Sequence, residues 1–229
     1  MGPSSRGGKP RPYDSSRRQA RAAENRRRVV RAAHDLFVEH GFAATTVAAV
    51  AAAADVSVPT VYDGFGSKAE LLKRAIEVAL AGDDEPIPVV ERATARWAAE
   101  ADTGDELLAR HAVLMGELAE RTAPIYQVLI RAADTEPELA ELLERFEDQR
   151  LSAATRIATG VSDRGGLPPG RSLDAARDVI WMCSAPEIYT MLVAKRGWTT
   201  AQYVDWARHA LVQLVAVPPV APPATSPGG

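Results

Sequence analysis

One stretch constrains this chain more than any other: GFAATTVAAVAAAADVSVPTVYDGFGSKAELL, from Gly41 to Leu72. Val47, Val50, Ala51 and Ala54 recur at helical spacing, which predicts a short helix over about Thr46 to Ala54. Thr45 and Thr46 both fit as its N-cap, because a threonine hydroxyl can satisfy an orphan amide of the first turn. The helix stops near Asp55, and Val56-Ser57-Val58-Pro59 starts another. Ser57 fits as its N-cap, and Pro59 falls in the first turn, where a missing N–H costs little. Val61 and Phe65 are four apart and can pack beneath the first helix. Gly64 and Gly66 end the second helix. Ser67 can cap the next one, with Glu70 three residues later completing a capping-box pattern. Two short helices joined by a turn of about three or four residues are a helix-turn-helix, whose second helix can enter a major groove with its N-terminal residues leading.

The same residues carry a family resemblance. Gly41, Phe42, Thr45, Thr46, Val47, Val50, Ala51, Ala54, Val56, Ser57, Thr60, Tyr62, Phe65, Ser67, Lys68, Leu71 and Leu72 stand in the order and spacing of the TetR-like (TetR/AcrR) signature. The resemblance is specific over about residues 20–80 and only architectural beyond them. It implies a DNA-binding transcriptional regulator with operator DNA and a small-molecule effector as partners. It also implies a homodimer whose last two helices form a four-helix bundle across a two-fold axis. Tyr62 and Lys68 fall where the family touches the DNA backbone. Three positions depart from the family pattern. Asp55 replaces the usual turn glycine, a place where aspartate tolerates the left-handed conformation. Gly64 removes a usual backbone contact, and Asp63 brings a negative charge beside the DNA face.

The DNA-facing expectations are specific. Thr46 opens a helix whose N-terminal amides favour an anion. Ser57, Val58, Pro59 and Thr60 form the leading turn of the recognition helix. They offer no Arg or Asn for bidentate base contact, so methyl contacts to thymine and DNA shape are expected to supply specificity.

Composition agrees with a bound polyanion only once it is divided along the chain. The net charge of the 229 residues is −3. Residues 1–81 hold 13 Lys/Arg against 8 Asp/Glu, net +5, whereas residues 82–229 hold 14 against 22, net −8. A basic front and an acidic rear orient a chain on nucleic acid. The length allows one or two domains with a sizeable core. The single cysteine, Cys183, excludes an internal disulfide and points to a reducing, cytoplasmic setting. No apolar segment opens the chain as a signal peptide would, and no window of about 18 apolar residues suggests a membrane partner.

In chain order, residues 1–16 read as a disordered tail. Its Arg6, Lys9 and Arg11 are either solvated or in reach of DNA. A long helix follows from about Ser16 to His40, with Val29, Val30, Ala33 and Phe37 on its apolar face. Arg26, Arg27 and Arg28 on it are either solvated or a positive shelf beside the helix-turn-helix. His34 and His40 have no partner at ligand spacing and read as structural. The helix from Ser67 ends near Gly82, and GDDEPIP over 82–88 reads as a linker. The expected DNA-binding domain is therefore residues 17–82, and the effector and dimerisation domain residues 83–217, with a Pro-rich tail over 218–229. The second domain reads as helices at roughly 87–101, 104–121, 123–133, 137–160, 172–196 and 199–216. Pro124 breaks one pair of these, and Pro186 should kink the helix that holds it. The fold class is all-α: a three-helix helix-turn-helix domain followed by a helical bundle.

No Gly-rich phosphate loop, Cys-x-x-Cys, His-Glu-x-x-His or nucleophile elbow is present, so neither catalytic residues nor metal ligands nor a cofactor are expected, and the chain does not read as an enzyme. Trp97, His111, Met115, Tyr126, Phe146, Trp181, Met182 and Tyr189 are the candidate lining of an effector pocket between helices, or else ordinary core. Val179, Met182, Cys183, Ile188 and Leu192, with Tyr203, Trp206, Ala210, Leu211 and Leu214, make the last two helices amphipathic, as a dimer face requires. The reading is a ligand-responsive DNA-binding regulator, a repressor released by a small, mostly apolar molecule. The alternative is a helical dimeric interaction module whose DNA head is weakened by Asp63 and Gly64.

Overall fold

The computed structural model describes residues 14–82 and 89–218, and among these every regular element is helical. The helices are α1 (Asp14–Ala44), α2 (Val47–Ala53), α3 (Val58–Phe65), α4 (Lys68–Ala81), α5 (Ala93–Ala99), α6 (Gly104–Ala133), α7 (Pro137–Asp163), α8 (Leu173–Cys183), α9 (Pro186–Tyr189) and α10 (Thr200–Leu211). A 3₁₀ turn, Val89–Glu91, precedes α5. π-helical turns extend α9 through Thr190–Lys195 and α10 through Val212–Ala216. The expected tails and linker fall largely on residues 1–13, 83–88 and 219–229, which lie outside the described residues.

Local signals set most helix ends. Thr46, Ser57, Ser67, Thr103, Ser172 and Thr199 each accept a backbone N–H of the first turn of the helix they precede. Thr45, the other candidate cap, is instead turned inward and buried, its hydroxyl 2.8 Å from Gly41 O and 3.0 Å from Leu36 O. The capping box expected at Ser67 forms only by half. Ser67 Oγ accepts from Glu70 N, but the Glu70 carboxylate pairs with Lys73 at 3.1 Å. The reciprocal box occurs at Thr199 and Gln202.

Both proline expectations need correction. Pro124 does not end a helix: α6 runs through it from Gly104 to Ala133. Pro124 itself is exposed, while Ala119, Ala123, Ile125, Tyr126 and Leu129 keep the apolar stripe buried on either side. That continuous burial outweighs one lost helical bond, a cost of about 3 kcal/mol. Pro186 does not kink a continuous helix either. It opens α9 after α8 has stopped at Cys183, in the first turn, where its missing N–H is harmless.

Two apolar cores result. The first joins Val29, Ala33 and Phe37 of α1, Val50 of α2, Val61 of α3 and Leu71, Leu72 and Ile76 of α4 to Ile125 and Leu129 of α6 and Leu139 and Phe146 of α7. It therefore packs the helix-turn-helix directly onto the C-terminal half of α6 and the N-terminal half of α7. Leu72 is fully buried there, and its truncation to alanine would cost about 2–5 kcal/mol. The second core holds Leu108, Ala112 and Met115 of α6, Ala158 and Val161 of α7, Ile180 of α8, and Tyr203, Ala207 and Leu211 of α10. α6 thus contributes to both. It lies so close to α10 that a Cβ at Gly116 would collide with Val204.

Candidate nucleic-acid interface and effector region

The helix-turn-helix is assembled from short-range chemistry. After α2, Asp55 takes a left-handed conformation, φ 51°, alone among the described non-glycine residues. Its N–H donates to Ala52 O at 3.2 Å, and that of Val56 donates to Ala51 O at 3.0 Å. This pair of bonds is a Schellman stop, which consumes the last carbonyls of α2. Ser57 then caps α3, its Oγ accepting from Thr60 N at 3.3 Å and lying 2.7 Å from Thr60 Oγ1. Val61 is buried beneath α2, whereas Ser57, Pro59, Thr60, Tyr62 and Asp63 are exposed and Val58 is half-buried. Tyr62 is 50% exposed, unusual for so large a ring. The leading turn of α3 therefore offers a hydroxyl, methyls and a phenol to solvent, as a groove-reading helix must. Thr46 is likewise exposed, with its Oγ1 accepting from Ala49 N at 3.1 Å.

Lys68, which the resemblance assigns to the DNA backbone, is also engaged within the head. Its Nζ is 2.8 Å from Phe42 O, 3.2 Å from Thr45 O and 4.1 Å from the centroid of the Phe42 ring, which itself stacks on Phe37. Two further cations that sequence reasoning left as shelf or solvated groups are engaged with the helix-turn-helix. Arg26 donates to Gly64 O at 3.2 Å and lies over the Phe65 ring at 4.8 Å. Arg28 donates to Asp55 O at 3.3 Å, with the Asp55 carboxylate 3.6 Å away. α1 thus holds both the turn and the end of α3. No sequence signal marks these contacts beyond the run of arginines. A cleft of about 400 Å³ opens beside them, lined by Arg26, Tyr62, Phe65, Glu70 and Lys73 among others.

The eight candidate pocket residues do not converge. Tyr126 and Phe146 belong to the core beneath the DNA head, ring centroids 6.2 Å apart. Met115 and Tyr189 belong to the second core, where Tyr189 packs edge-on against Tyr203 at 5.0 Å. Trp97 is 42% exposed, with Arg110 stacked on its ring, and Trp181 and Met182 of α8 also face solvent. The cleft between α4, α5 and α6, about 190 Å³, is lined by none of the eight. The sequence could not separate these residues because core and surface aromatics share helical spacing.

Two of the eight remain chemically notable. His111 is buried, its Nδ1 has no hydrogen-bond partner, and burial pushes its pKa down to about 4. Tyr126 donates to Glu147 at 2.6 Å, and burial together with that carboxylate holds its phenol far above the ordinary range. Glu147 also pairs with Arg150, which donates to Trp181 O at 3.0 Å, so a polar chain runs from α6 across α7 to the end of α8. Cys183 is buried, its thiol pushed up to about 11, and is unreactive at neutral pH. No group of three or more His, Cys, Asp or Glu side chains that could hold a metal occurs among the described residues.

A helix-turn-helix with an open leading turn, set on a helical domain, defines a DNA-binding regulator. Residues 29–75 match the family of bacterial regulatory proteins, tetR family. An uncharacterized HTH-type transcriptional regulator of Bacillus subtilis, YdeS, is 27% identical over 184 residues, covering 78% of this chain and 84% of that one. The transcriptional regulator FadR of Bacillus subtilis, solved in complex with stearoyl-CoA, has the same fold at a TM-score of 0.62 and 19% identity, covering 83% of this chain and 97% of that one. NalD, the secondary repressor of the MexAB-OprM multidrug efflux pump in Pseudomonas aeruginosa, has it at a TM-score of 0.62 and 18% identity, covering 85% and 98%. Residues 29–75 are accordingly a DNA-binding domain of the tetR-family type, and the likeness in fold to solved regulators extends over most of the chain.

Proposed function

We propose that this regulator is a homodimeric repressor, acting in the cytoplasm, that leaves its operator when a small, mostly apolar molecule binds the domain formed by residues 83–217. The observation that carries the DNA side is the exposed leading turn of α3, with Tyr62 open beside it. Thr46, Tyr62 and Lys68 are assigned to phosphate contact, and Val58, Pro59 and Thr60, behind the Ser57 cap, to base edges, read through methyl groups and DNA shape. The dimer is supported by Trp181 and Met182 of α8, Met191 after α9 and Leu214 after α10, large apolar side chains left exposed in the protomer. An apolar effector suits a domain whose interior is aliphatic and aromatic, with the buried, unpartnered His111 as its polar anchor. FadR and NalD, of the same fold, support a ligand and a repressor role respectively. Release requires that the effector bind the DNA-incompetent arrangement more tightly than the competent one.

The test is selection of bound fragments from genomic DNA with wild type, Val58→Ala and Thr60→Val, followed by release assays with hydrophobic small molecules. A palindromic motif that changes with Val58 or Thr60 is expected. An identical motif for all three proteins would remove these residues from base reading. A complex that no compound loosens would remove the effector.

A further inference from the structure

We infer that Arg26 and Arg28 of α1 are positioning residues that set the operator specificity of α3 by holding the turns before and after it, an inference that rests on α3 being the helix that reads the groove. α3 has only 8 residues, Val58–Phe65, too few to persist without tertiary support. It is entered through the turn at Asp55 and left through Gly66, at φ 76°. Arg28 donates through Nη2 to Asp55 O at 3.3 Å, and the same nitrogen donates to Asn25 Oδ1 at 3.0 Å, so the guanidinium is oriented from its own helix. Arg26 donates through Nη1 to Gly64 O at 3.2 Å, and its guanidinium lies 4.8 Å from the centroid of the Phe65 ring. Gly64 belongs to the last turn of α3, where carbonyls lack intrahelical partners and a cation is favoured. Arg27, between the two, is exposed and pairs with Glu24 at 3.7 Å.

Packing alone grips α3 weakly. Val61 is its one buried side chain, and Val58 and Phe65 are half-buried near its two ends. α1, by contrast, is anchored from Val29 onward, with Val29, Val30, Ala33 and Phe37 all buried in the core. The two arginines project from the turn just before that anchored stretch and carry its rigidity to the two ends of α3. Without them α3 stays on its core contact at Val61 but gains freedom to tilt about it. Base edges tolerate little tilt, because their reading depends on where the leading turn of the helix lies in the groove. Phosphate contacts and the overall positive charge are far less demanding of angle. The cost of losing the clamp therefore falls on discrimination between operator and other DNA.

Arg26→Met, Arg28→Met and the double variant are compared with wild type for binding to the operator recovered by genomic selection and to random-sequence DNA of equal length. The temperature is one at which circular dichroism shows every protein folded. Arg27→Met is the control, since it removes a neighbouring charge that pairs with Glu24. Hydrogen exchange is followed at Asp55 and Val56, whose amides donate to Ala52 O and Ala51 O, and at Gly66, whose amide donates to Tyr62 O. The double variant should lose roughly tenfold in preference for the operator over random DNA, the weight of a hydrogen bond from a charged group. Arg27→Met should leave that preference unchanged. Exchange should quicken at Asp55 and Val56 in Arg28→Met and at Gly66 in Arg26→Met, and Arg28→Lys, which retains a donor, should recover part of the loss. An equal loss on both DNAs in the double variant would reduce the two arginines to charge contacts and overturn the inference. Unchanged binding in the folded double variant would overturn it as well, since a merely structural clamp alters melting alone. A motif unchanged by Val58→Ala would remove α3 from base reading and the inference with it, whereas a changed motif with unaltered exchange at all three amides would refute the clamp alone.

Discussion

Arg121 of α6 donates through Nε to Ala79 O at 3.1 Å, in the last turn of α4. Its Nη2 reaches Leu80 O at 3.4 Å, and its guanidinium lies 3.5 Å from the point a Cβ would occupy at Gly82. α6, which like α7 enters both cores, thereby caps the helix that ends the DNA head. Gly82, at φ 87°, is required for its left-handed turn, whereas a Cβ there would touch the guanidinium only at ordinary contact distance.

Arg121→Met is expected to lower stability by about 1–2 kcal/mol, since it strips donors from two end carbonyls while keeping the stem. Exchange of the amides in the last turn of α4 should accelerate more than those of α6. Equal acceleration in both helices would mean that the contact does not act locally on α4.

Asp55→Val should cost about 1–2 kcal/mol in urea denaturation, because a β-branched residue resists the left-handed conformation that ends α2. Asp55→Gly should stay within about 0.5 kcal/mol of wild type. It relieves φ strain and loses only an ion pair whose carboxylate is nearly fully exposed, a type of pair worth little. A large loss in Asp55→Gly would show that the Arg28 contact matters more than the turn.

His111 gives a pH dependence with a definite sign. Burial lowers its pKa from 6.5 to about 4, so the folded protein disfavours a proton that the unfolded chain accepts. Stability is full above pH 6.5 and is lost as pH falls from there toward 4, by up to about 3 kcal/mol. Comparing urea midpoints at pH 7 and pH 5 for wild type and His111→Gln isolates this contribution. The variant should lose less stability than wild type on acidification, and an equal loss would place the titration elsewhere.

The dimer face is tested by Met182→Asp combined with Leu214→Asp. Met182 is 49% exposed and Leu214 45% exposed in the protomer, so neither change disturbs the core. Sedimentation should show a monomer of unaltered melting behaviour at low concentration, with operator binding lost. A dimer surviving both charges would put the interface on another face.

What could be read from residues alone was whatever depends on near neighbours in the chain. The caps at Thr46, Ser57 and Ser67, the left-handed turn at Asp55 and the stop at Gly82 each rest on bonds between residues a few positions apart. The all-helical class followed from periodicity for the same reason. The opposite holds for Lys68, Arg26, Arg28 and Arg121, whose acceptors lie 23 to 42 residues away. A long cation carries no mark of the carbonyl it will meet. Only the packing of α1 and α6 against α4 brings each one to its acceptor, and that packing also decided that Pro124 would be spanned and that Trp97 would face water while Tyr126 faced the core. Short-range geometry is written into a helical sequence, whereas the choice of partner for a flexible side chain is made only when separate helices share one core.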